Sequence, residues 1–251
     1  MKKEIRKVSE DGSMVQITIA DERFYVKTET DDKGNIISIK DYPSVTWKAG
    51  CYPKGVEFYK WLAKNGWDES QAIMREAGNH GSKDHHGIES LLLGNKILMD
   101  DQLINNDGQP EDITLEEWRA LMSWHAWYVN TKPETIAIET TIFNDEYNYA
   151  GTIDYICKID GQIWIVDWKS SKYIYPSSEI QVSAYKHALG EEYKDAKLGI
   201  LQIGYAKNKR EWKFTEIEDQ FELFKAANVI WQKEFGKTEI FVKDYPTSLS
   251  I

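Results

Sequence analysis

Two aspartates and a lysine set the chemistry open to this chain. Asp154 and Asp167 lie on either side of Asp160-Gly161, and Lys169 follows two residues after the second aspartate. The flanking runs, 155–159 and 162–166, are rich in strand-forming residues, and an Asp-Gly pair between such runs is a strong signal for a two-residue hairpin. With that pair at the turn, Asp154 is predicted to face Asp167 and Thr152 to face Lys169. Both aspartates then point to one side of the ribbon, because strand side chains repeat every second residue. Facing side chains sit about 4.5–5.5 Å apart at Cβ, and like charges so placed repel. A divalent cation resolves the conflict, since Mg2+ prefers carboxylate oxygen and is commonly held by one or two carboxylates with water and phosphate. Lys169 leaves the same face, where its ammonium can position a water or stabilise charge building on a phosphorus centre.

The elements that position these groups are legible around them. A helix is predicted from Ser177 or Ser178 to Gly190, with Gln181 and Tyr185 four apart on one face. Taken singly, Asp167 and Lys169 read more simply as a surface ion pair, and Gln181 and Tyr185 as ordinary helix residues. The set in this order is harder to read as coincidence.

That order carries a resemblance. G-T-I-D (151–154), D-W-K (167–169) and Q-V-S-A-Y (181–185) resemble the GxxD, (D/E)xK and QxxxY motifs of the PD-(D/E)XK nuclease superfamily. The pattern is similar to its RecB-type exonuclease branch, which includes phage exonucleases, CRISPR adaptation nucleases and a mitochondrial genome-maintenance exonuclease. Two earlier stretches extend it. P-S-V-T (43–46) stands where the branch has the same stretch opening a helix, and Gly81 to Glu89 resembles its G-T-x-x-H-x-x-x-E helix, with Ser82 in place of Thr. In all, the resemblance spans roughly residues 43–205.

The resemblance implies an α/β fold with a restriction-endonuclease-like core, a mixed central sheet flanked by helices, and an N-terminal elaboration of small sheet and helices. It implies Mg2+ or Mn2+ held by Asp154 and Asp167, with His85 and the Trp168 carbonyl as further ligands, and catalysis that also involves Lys169, Gln181 and Tyr185. Glu89, four residues after His85, is expected to orient its ring. Glu139 lies on a strand predicted from Thr135 to Phe143, and branch members often carry a glutamate here. With a two-residue turn at Asn144-Asp145, Glu139 faces Ala150 and falls about 13 Å from Asp154, which makes it a second-tier candidate. Ser44, Lys172, Lys207, Lys209 and Arg210 are candidate DNA contacts, the basic ones through phosphate; Ser44 also reads as a helix cap.

Composition bounds the class. The 251 residues are 41% hydrophobic and 13% aromatic, with ten Trp, which describes a folded chain. The expected division is a small antiparallel sheet over 1–42 and a nuclease domain over 43–251 in one compact unit. The start lacks the apolar core of a signal peptide, and no apolar run approaches the ~18 residues of a membrane span, so a cytoplasmic location is expected and no membrane partner. Net charge is −10, which argues against coating nucleic acid through bulk electrostatics. It leaves room for a local cationic patch and for a metal that neutralises site carboxylates. The two cysteines, Cys51 and Cys157, are too few for the four-cysteine iron–sulfur cluster of several RecB-type relatives, so none is expected. Cys157 reads as a small core residue on the face opposite Asp154.

Elsewhere the readings are structural. Residues 1–13 read as loose, and three strands are expected between 14 and 40. Phe58, Trp61 and Leu62 form an apolar stripe read as core. Thr114 to Glu117 is a capping box opening a helix to about Val129, with Trp118, Leu121, Met122, Val129 and a boundary His125 inward. Leu198–Tyr205 and Trp212–Ile217 read as paired strands, and 219–235 as a helix with Phe221, Leu223, Phe224, Ala227 and Ile230 inward. His80 and His86 read as bystanders.

The expected activity is metal-dependent hydrolysis of DNA, by an exonuclease serving phage or bacterial recombination, replication or repair, with a partner protein from such a pathway. A non-catalytic DNA-end-binding or assembly protein on the same fold is the rival. The many Trp and paired acids also suit a carbohydrate-active protein, but glycosidases need neither an adjacent lysine nor a metal.

Overall fold

Asp160 and Gly161 both take positive φ, 51° and 80°, as a two-residue primed turn demands of its central residues. That turn joins the two middle strands of a five-stranded sheet. In this computed structural model the described residues are 3–7, 13–19, 22–32, 36–204, 212–237 and 248–250.

The chain begins with β1 (Lys3–Lys7), β2 (Met14–Ile19), β3 (Glu22–Thr30) and β4 (Ile36–Tyr42), an antiparallel meander in chain order. Residues 3–7, expected to be loose, instead pair with β2, Ile5 opposite Ile17. Four of these five residues are charged, which hides the strand in the sequence, and β1 stands at the edge of its sheet. Next come α1 (Val45–Ala49), α2 (Val56–Asn65) and α3 (Trp67–Leu92), then a short hairpin of β5 (Gln102–Ile104) and β6 (Pro110–Asp112), and α4 (Leu115–Thr131). The core sheet follows as β7 (Glu134–Asn144), β8 (Tyr149–Ile159) and β9 (Gln162–Lys169), then α5 (Pro176–Lys186), a 3₁₀ turn, β10 (Lys197–Ile203), β11 (Trp212–Ile217) and α6 (Phe221–Phe235). Its strand order is β11-β10-β9-β8-β7, antiparallel except for the β9–β10 pair. Parallel strands need a crossover, and α5 supplies it. This is the mixed sheet flanked by helices that the sequence led us to expect.

Two cores sandwich the sheet. On one side Ile153, Ile156, Ile165 and Ile200 pack with α1, α5 and α6 through Val45, Ile180, Tyr185 and Phe224. On the other, Tyr155, Val166, Trp168 and Leu201 pack with α3 and α4 through Ile88, Leu121, Trp124 and Trp127. Cys157 lies in this second core. The capping box at Thr114 and Glu117 is present, but the inward face of α4 is Glu117, Ala120, Leu121, Ser123, Trp124 and Trp127. Met122, Val129 and His125 are exposed. Alternate aromatic and aliphatic residues on this helix fit two stripes, and only the packing of Trp124 and Trp127 beside Trp168 selects one. The same holds on α6, where Trp231 is buried and Leu223 and Ile230 are largely exposed. Phe58, Trp61 and Leu62 are only half-buried, and α2 has no buried residue. No helix among the described residues is long and apolar enough to cross a membrane.

Candidate active site

The hairpin pairing runs from Ile159–Gln162 to Tyr155–Val166 and stops there. At the next position the strands part, and the predicted backbone pairing of Asp154 with Asp167 is replaced by a side-chain bond: the Trp168 N–H donates to Asp154 Oδ2 at 2.8 Å. Tyr155 and Val166 both enter the α4-side core. Strand alternation therefore turns Asp167 to the other face, whereas around Asp154 the alternation is interrupted, since Ile153 packs in the core opposite to that of Tyr155. Both aspartates are buried.

Lys169 Nζ lies 2.7 Å from Asp167 Oδ2. Asp167 accepts no hydrogen bond of normal geometry from any described residue. The lysine contact is thus an ion pair, and the second carboxylate oxygen is buried without a protein donor. Such a group is costly unless a charge of opposite sign meets it. Burial pushes the Asp167 carboxyl up to about 6 against the pull of Lys169, with the Asp154 charge adding to the rise. Burial also opposes the charge on Lys169, but Asp167 and Asp154 outweigh it and raise the ammonium.

His85 comes from the middle of α3. Its Nδ1 is 3.3 Å from Asp154 Oδ1 and 3.9 Å from Glu139 Oε1. Burial disfavours the imidazolium, yet the two carboxylates raise His85 well above its ordinary value. Burial alone would raise Asp154 too, but His85, Lys169 and the Trp168 N–H hold it low. Donor atoms of His85, Glu139 and Asp154 all lie within 4.8 Å of one another. One histidine nitrogen and two carboxylates so spaced suit a divalent ion of the Mg2+ or Mn2+ class, and the buried Asp167 carboxylate feels the charge of Asp154 in that group. Asp167 itself is outside the tight group of three.

Glu139 corrects the sequence reading. The turn between β7 and β8 is four residues, since Asn144 pairs with Tyr149 and Phe143, not Glu139, faces Ala150. Glu139 consequently falls opposite Asp154, between the pairs Ile138–Tyr155 and Thr140–Ile153, rather than about 13 Å away. Its own φ is 44°, a left-handed conformation that costs a non-glycine residue roughly 1–2 kcal/mol. Burial raises the Glu139 carboxyl, with His85 opposing and Asp154 adding. The His85 ring meets Asp154 and Glu139, and the charge of Glu89 adds to the rise of the Glu139 carboxyl.

Gln181 Nε2 donates to the Tyr185 hydroxyl at 2.6 Å, and the Tyr185 ring lies over Gly151. A Cβ at Gly151 would stand 2.6 Å from Tyr185 Cε1, which explains the glycine three residues before Asp154. The Thr152 hydroxyl meets Tyr25 at 3.0 Å and Gln16 at 3.4 Å, so the N-terminal meander braces the strand that carries Asp154. Ser44 caps α1 by accepting from the Trp47 N–H at 3.1 Å, the structural role that its sequence context offered beside DNA contact. Lys172 is exposed on the loop after Lys169, its Nζ over the Tyr173 ring. Lys207, Lys209 and Arg210 lie outside the described residues.

Sequence reasoning missed several polar residues. Buried Gln202, which pairs with Lys169 across the parallel ladder, holds the loop after Lys169 by donating to the Ser171 and Lys172 carbonyls at 2.9 and 3.0 Å. Asp84 is 3% exposed, and burial pushes it up to about 8. It lines a cleft of about 500 Å³ with His80, His85, Trp168 and Lys169. Its neighbour Lys83 pairs with buried Glu117 at 2.9 Å. An i,i+4 acid on the His80 face of α3 was a signal within reach.

A family model described as the PD-(D/E)XK nuclease superfamily matches residues 94–248, more than half of the chain. The matched span holds Glu139, Asp154, Asp167, Lys169, Gln181 and Tyr185, whereas His85 precedes it. None of the curated proteins matches the chain.

Proposed function

Because the chain belongs to the PD-(D/E)XK nuclease superfamily, we propose that it is a metal-dependent deoxyribonuclease acting from DNA ends, in phage or bacterial recombination, replication or repair. The observation that carries the hydrolytic part is the buried Asp167 carboxylate with an unbonded oxygen beside Asp154 and Lys169. A DNA-binding scaffold without chemistry gains nothing from that arrangement, which costs folding stability. The preference for ends rests on the likeness of the three motifs to RecB-type exonucleases.

His85, Glu139 and Asp154 would hold the cation, with Asp167 and the Trp168 carbonyl as further donors. A divalent ion bound there supplies Lewis-acid polarisation of the scissile phosphate and a water of lowered pKa. Lys169 aligns the attacking water and offsets the negative charge that grows on the phosphate oxygens. Asp167 fixes the Lys169 ammonium. Gln181 and Tyr185, locked to each other on α5, brace the strand at Gly151 and face the DNA backbone. Hydrolysis breaks one phosphate-ester bond and forms one to the water oxygen; the water's proton ends on the departing oxygen.

The test is digestion of linear, end-blocked and circular DNA, single- and double-stranded, with Mg2+, Mn2+ or chelator. Linear DNA with free ends should be degraded only with a divalent cation, and Lys169→Ala and Asp167→Ala should abolish this. Cleavage of circles at the same rate would make the enzyme an endonuclease. Cation-dependent DNA binding without cleavage would leave the end-binding scaffold as the function.

A further inference from the structure

Lys169 stands where regular backbone pairing gives out. On one side the β8–β9 ladder stops at Tyr155–Val166. On the other the parallel β9–β10 ladder has Lys169–Gln202 as its last pair. Residues 170–175 form neither strand nor helix before α5 begins at Pro176. Ser170 and Ser171 nevertheless line the cleft with Lys169. A long, flexible side chain at the end of a strand is aimed only as well as its backbone is held.

Gln202 holds that backbone. Its neighbours on β10, Ile200, Leu201 and Ile203, are buried and apolar, so packing by itself calls for another aliphatic residue at this position. A buried carboxamide is costly unless its polar atoms are bonded. Partners in a ladder share a face of the sheet, which sets the Gln202 side chain beside that of Lys169. From there Nε2 donates to the Ser171 carbonyl at 2.9 Å and to the Lys172 carbonyl at 3.0 Å. A carboxamide nitrogen carries two protons, one for each acceptor. The two bonds carry the hold of β10 past Lys169 through a side chain, where its backbone ladder has ended. Ser171 Oγ donates to the Tyr173 carbonyl at 2.9 Å and closes the loop on itself. Lys169 is thus fixed at both ends, its ammonium by Asp167 at 2.7 Å and the chain that follows it by Gln202.

We propose that Gln202 is a positioning residue for the hydrolysis, acting through Lys169. It keeps the loop after Lys169 from swinging, so that the ammonium is presented to the scissile phosphate instead of moving with the loop. The inference rests on the nuclease reading above. It assigns Gln202 no contact with the cation, which is left to His85, Glu139 and Asp154, and none with DNA.

Steady-state digestion of linear DNA by the full chain, with DNA and Mg2+ each titrated, tests this, together with thermal melting and hydrogen exchange over residues 170–175. Gln202→Met keeps the length of the side chain and removes both bonds; Gln202→Asn keeps the amide but withdraws it from the loop, and stands in if the first variant does not fold. Either should lower kcat by about 10- to 100-fold, with the KM for DNA and the half-saturating Mg2+ concentration little changed, and should speed exchange in the loop. Lys48→Met, which removes a buried donor to the β7–β8 turn, is the destabilised control and should keep the wild-type kcat. A wild-type kcat in a folded Gln202 variant overturns the proposal and leaves the nuclease reading intact. So does an equal fall in kcat in Lys48→Met, which makes the effect one of stability alone. A wild-type chain that cuts no DNA with any divalent cation overturns both.

Discussion

Glu139 stands across the β7–β8 ladder from Asp154 at the one position where Glu139 takes a left-handed backbone, φ 44°. The His85 ring reaches both carboxylates. Two acids directly opposed in a sheet repel, and a strained backbone at one of them adds to the cost. Both costs are offset if a cation sits between the acids.

Glu139→Gln should therefore weaken the Mg2+ or Mn2+ requirement of cleavage by about 10- to 100-fold in apparent affinity while the fold is kept. A cation titration of the cleavage rate reads this directly. An unchanged half-saturating concentration would remove Glu139 from the centre.

The Asp167 carboxyl, raised to about 6 chiefly by burial, gives a pH signature. Its folded-state value exceeds the unfolded one near 3.8, so the folded state binds the extra proton between them. The metal-free protein should lose stability as pH rises from about 4 through about 6. Asp167→Asn should accordingly stabilise the chelated protein at pH 8 by about 1–3 kcal/mol, less whatever Lys169 loses with its partner, and should abolish cleavage. Urea unfolding in chelator at pH 5 and pH 8 checks the sign.

Gly151→Ala should cost about 1–3 kcal/mol, because the new Cβ meets Tyr185 Cε1 at 2.6 Å and Val45 Cγ2 at 3.2 Å. The ring must move, taking the Gln181 bond with it. A lower kcat with little change in the cation requirement is expected, and Tyr185→Leu should restore stability to the variant but not its rate.

Lys48, fully buried, donates to the Tyr147 and Asn148 carbonyls and to Asn228 Oδ1 at 2.9, 2.8 and 2.6 Å. It ties α1 and α6 to the β7–β8 turn. Lys48→Met strands three buried acceptors and should destabilise by about 2–4 kcal/mol without altering the cation dependence of cleavage. Burial brings the lysine down to about 8, below its unfolded value, so the unfolded state holds more protons between about 8 and 10.5. Wild-type stability should gain from this group as pH rises across that window, and the variant should lack the gain.

The hairpin of Asp154, Asp167 and Lys169 was legible in the sequence because its determinants are local. Asp160-Gly161 can adopt a primed turn, the two-residue spacing brings Lys169 to Asp167, and i,i+4 spacing puts Gln181 within reach of Tyr185. The capping box at Thr114 is local in the same sense.

Tertiary structure decided what depends on the length of a turn without a strong signal, or on partners far along the chain. A turn between β7 and β8 that starts one residue later and is two residues longer shifted the partner of Glu139 by four residues, from Ala150 to Asp154, and each residue of register carries about 3.3 Å. The stripe that α4 buries was chosen by the indoles around Trp168, not by its own periodicity. His80 gained its partners only when α4 brought Glu116 and Glu117 against α3. A sequence states which side chains share a helix face; packing alone states what that face meets.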